Sequence, residues 1–306
     1  MKASILIRSK NEERIIGSVL QRVLTQDFAE PYEIIVLDSG SQDRTVDIVR
    51  GFPVRLETIP ARRFTFGSAL NLGTSLARGE YVVFLSAHCM PRTRSWLQEL
   101  TSPFANDPLV VATYGRQEPM PGVNPVEEQG LEQAYALRPD NTVRASFSNA
   151  NSAVRKSVWQ DFPFDEEISS GEDFLWASML PAPYTIQYVH EASVFHSHPP
   201  LLRYWRRRWY EEGMMGQYLA LRHGVPDPQA ASSPSQSSLA AMIGRSRETM
   251  RELWQKREFV ALCRYPLYAM SRRYFYRKGQ RDGARLYALS SAAPAPEGNF
   301  SGRSRF

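Results

Sequence analysis

From the N-terminus to Cys89, short apolar runs alternate with stretches whose apolar positions recur at helical spacing, and few folds accommodate that order. Residues 4–8 (SILIR) read as a strand. After a polar turn, Ile15, Ile16, Val19, Leu20, Val23 and Leu24 fall on one face of a helix. Residues 33–37 (EIIVL) form a second strand, ending in the small-residue turn Asp38-Ser39-Gly40-Ser41, and Asp43-Arg44-Thr45 opens another helix. Residues 54–59 are a third strand, 67–77 a helix, and 81–85 (YVVFL) a strand apolar enough to be buried on both faces. The pattern predicts the α/β class, a Rossmann-like, mostly parallel sheet flanked by helices.

In such sheets ligands gather beyond the carboxyl ends of the strands. Residues 9–13, 38–43 and 86–89 are therefore where a site is expected. Further on, 109–116 reads as another strand, and 184–189 and 192–195 as two short ones. Residues 119–141, rich in Pro, Gly and Glu, read as loop, and 224–238 (GVPDPQAASSPSQSS) has linker composition. The organisation expected is a catalytic domain over 1–222, a linker over 223–238 and a basic amphipathic helical tail over 239–306.

A chain of 306 residues with 42% hydrophobic content supports one large core and a smaller appendage. The two cysteines, Cys89 and Cys263, form neither a CxxC pair nor a disulfide framework, which fits a reducing, cytoplasmic compartment. The first apolar stretch is too short for a signal sequence, and no run approaches the ~18 apolar residues of a spanning helix. Charge divides unevenly: residues 1–200 carry 18 Lys and Arg against 24 Asp and Glu, residues 201–306 carry 19 against 8. A basic tail suits anionic lipid, nucleic acid or plain solvent, so its charge alone selects no partner.

Asp38, at the end of a buried strand, either accepts hydrogen bonds from a bound base or ribose, or caps its own turn. Its neighbours extend the pattern. Residues 7–13 (IRSKNEE), EIIVLDSGSQDRT, GSALNLG over 67–73 and the following ARGEYVVFLSAHCMP resemble, in order and spacing, a family 2 glycosyltransferase of the GT-A fold. FSNANSAVRKSVW and Ser170-Gly171-Glu172-Asp173-Phe174 continue the likeness, so that it spans roughly residues 3–200 and is closest to bacterial rhamnosyltransferase-like members.

The resemblance implies a nucleotide-diphosphate sugar donor bound by Arg8, Lys10, Glu12, Asp38 and Asn71. Arg8 and Lys10 also suit a diphosphate on charge alone. It implies Asp173 as the general base that deprotonates an acceptor hydroxyl, with Glu172 orienting it, in an inverting displacement. Carboxylates at a helix N-terminus are equally what the helix dipole favours. Asn149 and Asn151 are assigned to the acceptor pocket or to turn backbone, and Trp176 to an acceptor sugar or to the core.

Two departures stand out. Where the family places an Asp-containing triplet that binds a divalent metal, this chain has Ser86, Ala87 and His88. Imidazole is a good ligand for Mn²⁺ or a transition ion and a poor one for Mg²⁺. Downstream, Phe195-His196-Ser197-His198 puts both histidines on one face of an extended segment, with His198 as the second ligand. The histidines are open to three readings: a metal site, metal-free stabilisation of the leaving diphosphate, or structure. Leu70 and Phe66 also stand where the rhamnosyltransferase-like pattern has Arg and His.

LLRYWRRRWY over 201–210 interleaves arginines with Trp205 and Trp209, and residues 259–276 repeat the theme around Pro266, which should kink or break a helix. Both stretches read as attachment to an anionic membrane surface, with core packing beneath a solvated basic face as the alternative. The expectation is an inverting transferase moving a hexose or deoxyhexose to a glycan or lipid-linked acceptor in cell-surface polysaccharide synthesis. It would be cytoplasmic, peripheral on the inner face of the membrane, and would use a divalent metal if the histidines bind one. The rivals are a non-catalytic sugar-nucleotide-binding scaffold and a nucleic-acid binder acting through the tail.

Overall fold

The computed structural model describes residues 1–120, 123, 125–135, 147–196, 198–199, 201–225, 239–255, 257 and 259–292. Four parallel strands come from the N-terminal alternation: β1 (Ala3–Ser9), β2 (Tyr32–Asp38), β3 (Arg55–Thr58) and β4 (Tyr81–Ser86). They join β5 (Cys89–Pro91), β6 (Val110–Pro119), β7 (Asn151–Arg155) and β8 (Thr185–His196) in a sheet of order β3-β2-β1-β4-β7-β6-β8-β5. β7 runs antiparallel to both β4 and β6, and β5 antiparallel to β8. This is the GT-A α/β arrangement, a curled central sheet between helices.

The period-two rule explains why β1 and β4 are apolar throughout. Ile5 and Ile7 on β1, with Val83 and Leu85 on β4, face a core that includes α1 (Ile16–Leu24) and Trp96 of α4 (Trp96–Thr101). Leu6, Val82 and Phe84 face the opposite core, beneath α3 (Phe66–Leu76) and α8 (Glu172–Met179). Thr65 starts α3 with a reciprocal cap: its hydroxyl accepts from the Ser68 N–H while Ser68 Oγ accepts from the Thr65 N–H. Short helices α2 (Thr45–Arg50), α5 (Pro103–Asn106) and α7 (Lys156–Asp161) complete the layers.

The register sets the site. Arg8 lies opposite Leu37 and Ser86, and Ser9 opposite Asp38, so the carboxyl ends of β1, β2 and β4 finish level with one another.

The structure differs from the sequence reading in four places. Residues 125–134 of the supposed loop form a helix, α6 (Pro125–Ala134), while 136–141 lie outside the described residues. The two short strands are one, β8, with an irregular register against β6. Pro266 does not end its helix: α11 (Phe259–Ala292) runs straight through it. Packing along α9 (Leu202–His223) outweighs the ~3 kcal/mol that an interior proline costs. The two helices approach so closely that a β-carbon at Gly213, Gly279 or Gly283 would run into backbone atoms of the facing helix.

Finally, Trp205 and Trp209 are buried, sharing a cluster with Val126 of α6, Leu253 of α10 (Leu239–Gln255) and Tyr265 and Tyr268 of α11. They hold the C-terminal helices to the body, so their helix does not present them to a membrane. The expected linker lies outside the described residues from 226 to 238. No described helix is long and apolar enough to cross a membrane.

Candidate active site

Gly171, in the left-handed region at φ 83°, turns the chain into α8 and leaves Glu172 and Asp173 in its first turn. Asp173 is held from both sides: the Asn149 N–H donates to Oδ2 at 3.3 Å and the Phe174 N–H to Oδ1 at 2.8 Å. Arg8, at the end of β1, donates through Nη2 to the Asn149 carbonyl at 3.0 Å and stands 3.8 Å from Glu172 Oε1. Burial pushes the Glu172 carboxyl up to about 7, the Asp173 charge adds to that, and Arg8 opposes it. Burial also raises Asp173, against its two main-chain donors and Arg8. Two acids this close ionise as a pair, and Arg8 stabilises the state in which at least one is charged.

Along the same sheet edge, three histidine rings cluster. His88, in the loop after β4, has Nδ1 2.8 Å from Glu12 Oε1. The pairing of β5 with β8 sets Cys89 opposite His196. Ring centroids lie 5.1 Å apart for His88 and His196, 5.2 Å for His88 and His198, and 4.5 Å for His196 and His198. His196 Nδ1 is 2.6 Å from Gln117 Oε1, and Gln117 Nε2 in turn donates to the Tyr135 hydroxyl at 2.5 Å. Burial drives His196 and His198 well below the usual imidazole range, and Arg208 lowers both further. Both rings are neutral.

In the tautomer its acceptor implies, His196 Nδ1–H donates to Gln117 and Nε2 keeps a lone pair, while His88 meets Glu12 through Nδ1. His196 Nε2 is buried with no hydrogen-bond partner among the described residues. One donor atom from each of His88, Cys89 and His196 lies within 4.8 Å of the others. Two imidazoles braced by an acid and an amide fit a transition ion and suit Mg²⁺ poorly. The Cys89 thiol is pushed far up by burial and stays protonated without a metal.

His198 fits this set less well than the sequence reading expected. Its Nδ1 is 2.8 Å from Glu127 Oε1 and its Nε2 is 3.3 Å from Arg208 Nη1, so both ring nitrogens already have partners. His196 takes its place as the second imidazole.

Other expectations need correction. Asn71 is a structural bracket: its amide nitrogen donates to the Phe164 carbonyl and Glu166 Oε1, and its oxygen accepts from Trp159 Nε1 and the Phe164 N–H. Asn151 is fully buried, accepting from Trp96 Nε1 and donating to the Arg116 and Ala192 carbonyls. Trp176 is core, with Nε1 donating to the Phe162 carbonyl. Asn151 and Trp176 are buried, and the amide of half-buried Asn71 is fully engaged by its protein partners. Asn149 stays at the site through its main chain. Lys10 is exposed at the rim.

Asp38 caps its own turn, accepting from the Gly40 and Ser41 N–H groups and from Ser41 Oγ. Ser41 Oγ accepts from the Asn11 N–H, and Asn11 Oδ1 from the Gln42 N–H. Asp38 thus stitches the loops after β1 and β2 into one wall, and the Thr45 hydroxyl, accepting from the Glu12 N–H at 2.7 Å, holds Glu12 beside His88. Gln117, Glu127, Tyr135 and Arg208 were not anticipated. Glu127 and Tyr135 sit in or beside α6, whose polar sequence hid a helix, and Arg208 was one of three consecutive arginines with nothing local to single it out.

The model of Glycosyl transferase family 2 matches residues 4–161 of this chain, from β1 to the end of α7. The chain belongs to that family. Among relatives of this family 2 glycosyltransferase is the O-antigen chain rhamnosyltransferase RfbN of Salmonella typhimurium, 28% identical over 70% of this chain and 72% of its own length. The O-antigen chain rhamnosyltransferase WbaN of Salmonella anatum is 30% identical over 60% and 62%. In fold it is similar to the mannosyltransferase PcManGT from Pyrobaculum calidifontis in complex with GDP-Man and Mn²⁺, at a TM-score of 0.62 and 16% identity over 92% and 87% of the two chains. Glucosyl-3-phosphoglycerate synthase from Mycobacterium tuberculosis, in complex with Mn²⁺, UDP-Glc and phosphoglyceric acid, gives 0.56 and 20% over 74% and 80%. The family match ends before Glu172, His196 and Arg208, so the roles of those residues rest on geometry.

Proposed function

We infer that this family 2 glycosyltransferase is an inverting enzyme of cell-surface polysaccharide synthesis. It transfers a hexose or deoxyhexose, rhamnose by likeness to the two Salmonella relatives, from a nucleotide-diphosphate sugar to a hydroxyl of a glycan or lipid-linked saccharide. The observation that carries this reading is the position of Asp173, held by the Asn149 N–H whose carbonyl accepts from Arg8 at the end of β1, the strand whose following loop brings Glu12 to His88. The unpaired cysteines agree with action on the cytoplasmic side, at the inner membrane surface where a lipid-linked acceptor would lie.

Asp173 takes the proton of the acceptor hydroxyl as that oxygen attacks the anomeric carbon. The bond from that carbon to the diphosphate oxygen breaks, and its electron pair leaves with the diphosphate. Attack opposite the leaving group needs one base and no covalent enzyme intermediate, which matches a single acid pair. Arg8 keeps the pair partly ionised, and burial makes Asp173 a stronger base than a solvated aspartate.

The leaving diphosphate needs positive charge. Arg208 supplies it from α9, with 42% of its side chain still open and its guanidinium against the histidine cluster. A transition ion held by His88 and His196, with Glu12 and Gln117 orienting the rings, would add Lewis-acid stabilisation there. Asp38 and its turn form the wall against which the base would lie.

A thermal-shift screen of UDP-, dTDP- and GDP-sugars, each with and without Mn²⁺ and Mg²⁺, tests the reading. One donor should stabilise the protein, more so with Mn²⁺ than with Mg²⁺. A shift with a donor but turnover of none would favour the sugar-nucleotide-binding scaffold that Ser86-Ala87-His88 first suggested, and no shift with any donor would contradict a donor site altogether.

A further inference from the structure

We propose that one face of α11, with Trp254 at the end of α10, is a docking surface for an anionic lipid bilayer. This goes beyond the membrane location assumed above by naming the surface, and it stands apart from the chemistry of transfer.

Large exposed apolar side chains concentrate here. Trp254 is 62% exposed, Leu267 52%, Met270 73% and Tyr274 64%, and the exposed rings of Trp254 and Phe259 meet edge to face at 5.5 Å. Val260, Cys263, Leu267, Met270 and Tyr274 follow one another at intervals of three or four residues, so they line a single side of the helix. That side is turned away from α9. The other side of α11 buries Tyr265, Tyr268 and Tyr276 and brings Gly279 and Gly283 against Tyr210 and Met214. The apolar stripe is therefore not surface left over from imperfect packing.

The same register continues into cations. Lys278, Arg281 and Arg285 follow Tyr274 at the same intervals and are exposed, and Arg264 flanks the apolar half. Leu289, 72% exposed, resumes the apolar character one turn later. Asp282 is the one acid in α11, and it is engaged with the Tyr210 hydroxyl at 3.0 Å and with Arg285 at 3.3 Å.

This charge pattern selects the occupant. An anionic bilayer offers phosphates to the arginines and an acyl phase to Leu267, Met270 and Trp254 within one surface. A second copy presenting the same side of α11 would bring the same cations and the same engaged acid. Nucleic acid offers phosphate but no apolar phase. Because α11 packs on α9, which carries Arg208, a protein seated this way holds its active site at the lipid surface.

The test uses the full chain with vesicles of phosphatidylcholine alone and of phosphatidylcholine and phosphatidylglycerol in equal parts. Co-sedimentation should occur with the mixed vesicles, weaken as salt rises, and be absent with phosphatidylcholine. Trp254 emission should shift to the blue on binding, and a Trp254→Phe variant should lose that shift. A Leu267→Glu/Met270→Glu variant alters only exposed positions, so its thermal unfolding should match wild type while its partition falls at least about tenfold. Transfer to a water-soluble acceptor should be unchanged in that variant, which separates failure of the docking surface from failure of the transferase reading. Equal partition of variant and wild type overturns the proposal. So does a dimer that the variant abolishes without any vesicle binding, or duplex DNA that displaces the vesicles.

Discussion

Arg8 Nη1 stands 3.8 Å from Glu172 Oε1, joining the carboxyl end of the first strand to the first turn of a helix far along the chain. That contact limits, but does not cancel, the cost of burying an acid pair, since Glu172 still rises to about 7. A carboxyl whose folded value lies above its ordinary 4.5 binds its proton more tightly in the folded chain. Its contribution to stability is therefore full below about pH 4.5 and is lost as pH rises through about 7. Glu172→Gln should remove that slope: the thermal midpoint of wild type should fall relative to the variant across this window. Parallel curves would mean that Glu172 does not titrate there.

His88→Ala and His196→Ala should each abolish any Mn²⁺-dependent thermal shift, while His198→Ala should retain most of it, because both nitrogens of His198 already have partners. Glu12→Gln, which keeps a weaker acceptor for His88, should reduce metal affinity by about 10- to 100-fold. Titration calorimetry with the metal alone distinguishes these variants. Equal loss in His198→Ala would return that residue to the ligand set.

Arg208→Met should lower kcat by about 10²-fold or more with a smaller effect on KM, since the charge it provides matters most as the diphosphate departs. Arg208→Lys should recover part of the loss. Steady-state kinetics on both variants make the comparison, and an unchanged kcat in Arg208→Met would remove Arg208 from the leaving-group role.

Asn71→Ala should act on stability and leave donor affinity alone. It strands the Trp159 indole N–H and the Phe164 N–H, which both donate to Asn71 Oδ1. A loss of about 2–4 kcal/mol in denaturant unfolding is expected from two partners left without their acceptor. A change in donor KM without a change in stability would restore its nucleotide-binding role.

Much of the N-terminal half was legible because strands buried on both faces and one-sided helices write their periods directly into the sequence. The sheet edge holding Asp38, Arg8 and His88 followed from that pattern, and the acid pair was named from its local motif. What failed was information carried by partners distant in the chain. Asn71, Asn151 and Trp176 look like ligand-binding residues until Phe164, Trp96 and Phe162 are seen to saturate them. Trp205 and Trp209 have the spacing of an interfacial helix, and α11 covers them. Pro266 has a local rule against it that a long helix–helix contact overrides. Arg208 becomes distinctive only when α9 is laid against the histidines.

Whether Asp173 is the base is decided by comparing donor binding and sugar transfer in wild type and Asp173→Asn. Asparagine keeps the shape and can still accept from the Asn149 N–H, but it cannot take a proton. Donor affinity should stay near wild type while transfer falls by about 10²- to 10⁴-fold. Transfer at the wild-type rate in a folded, donor-binding Asp173→Asn protein would contradict that role for Asp173.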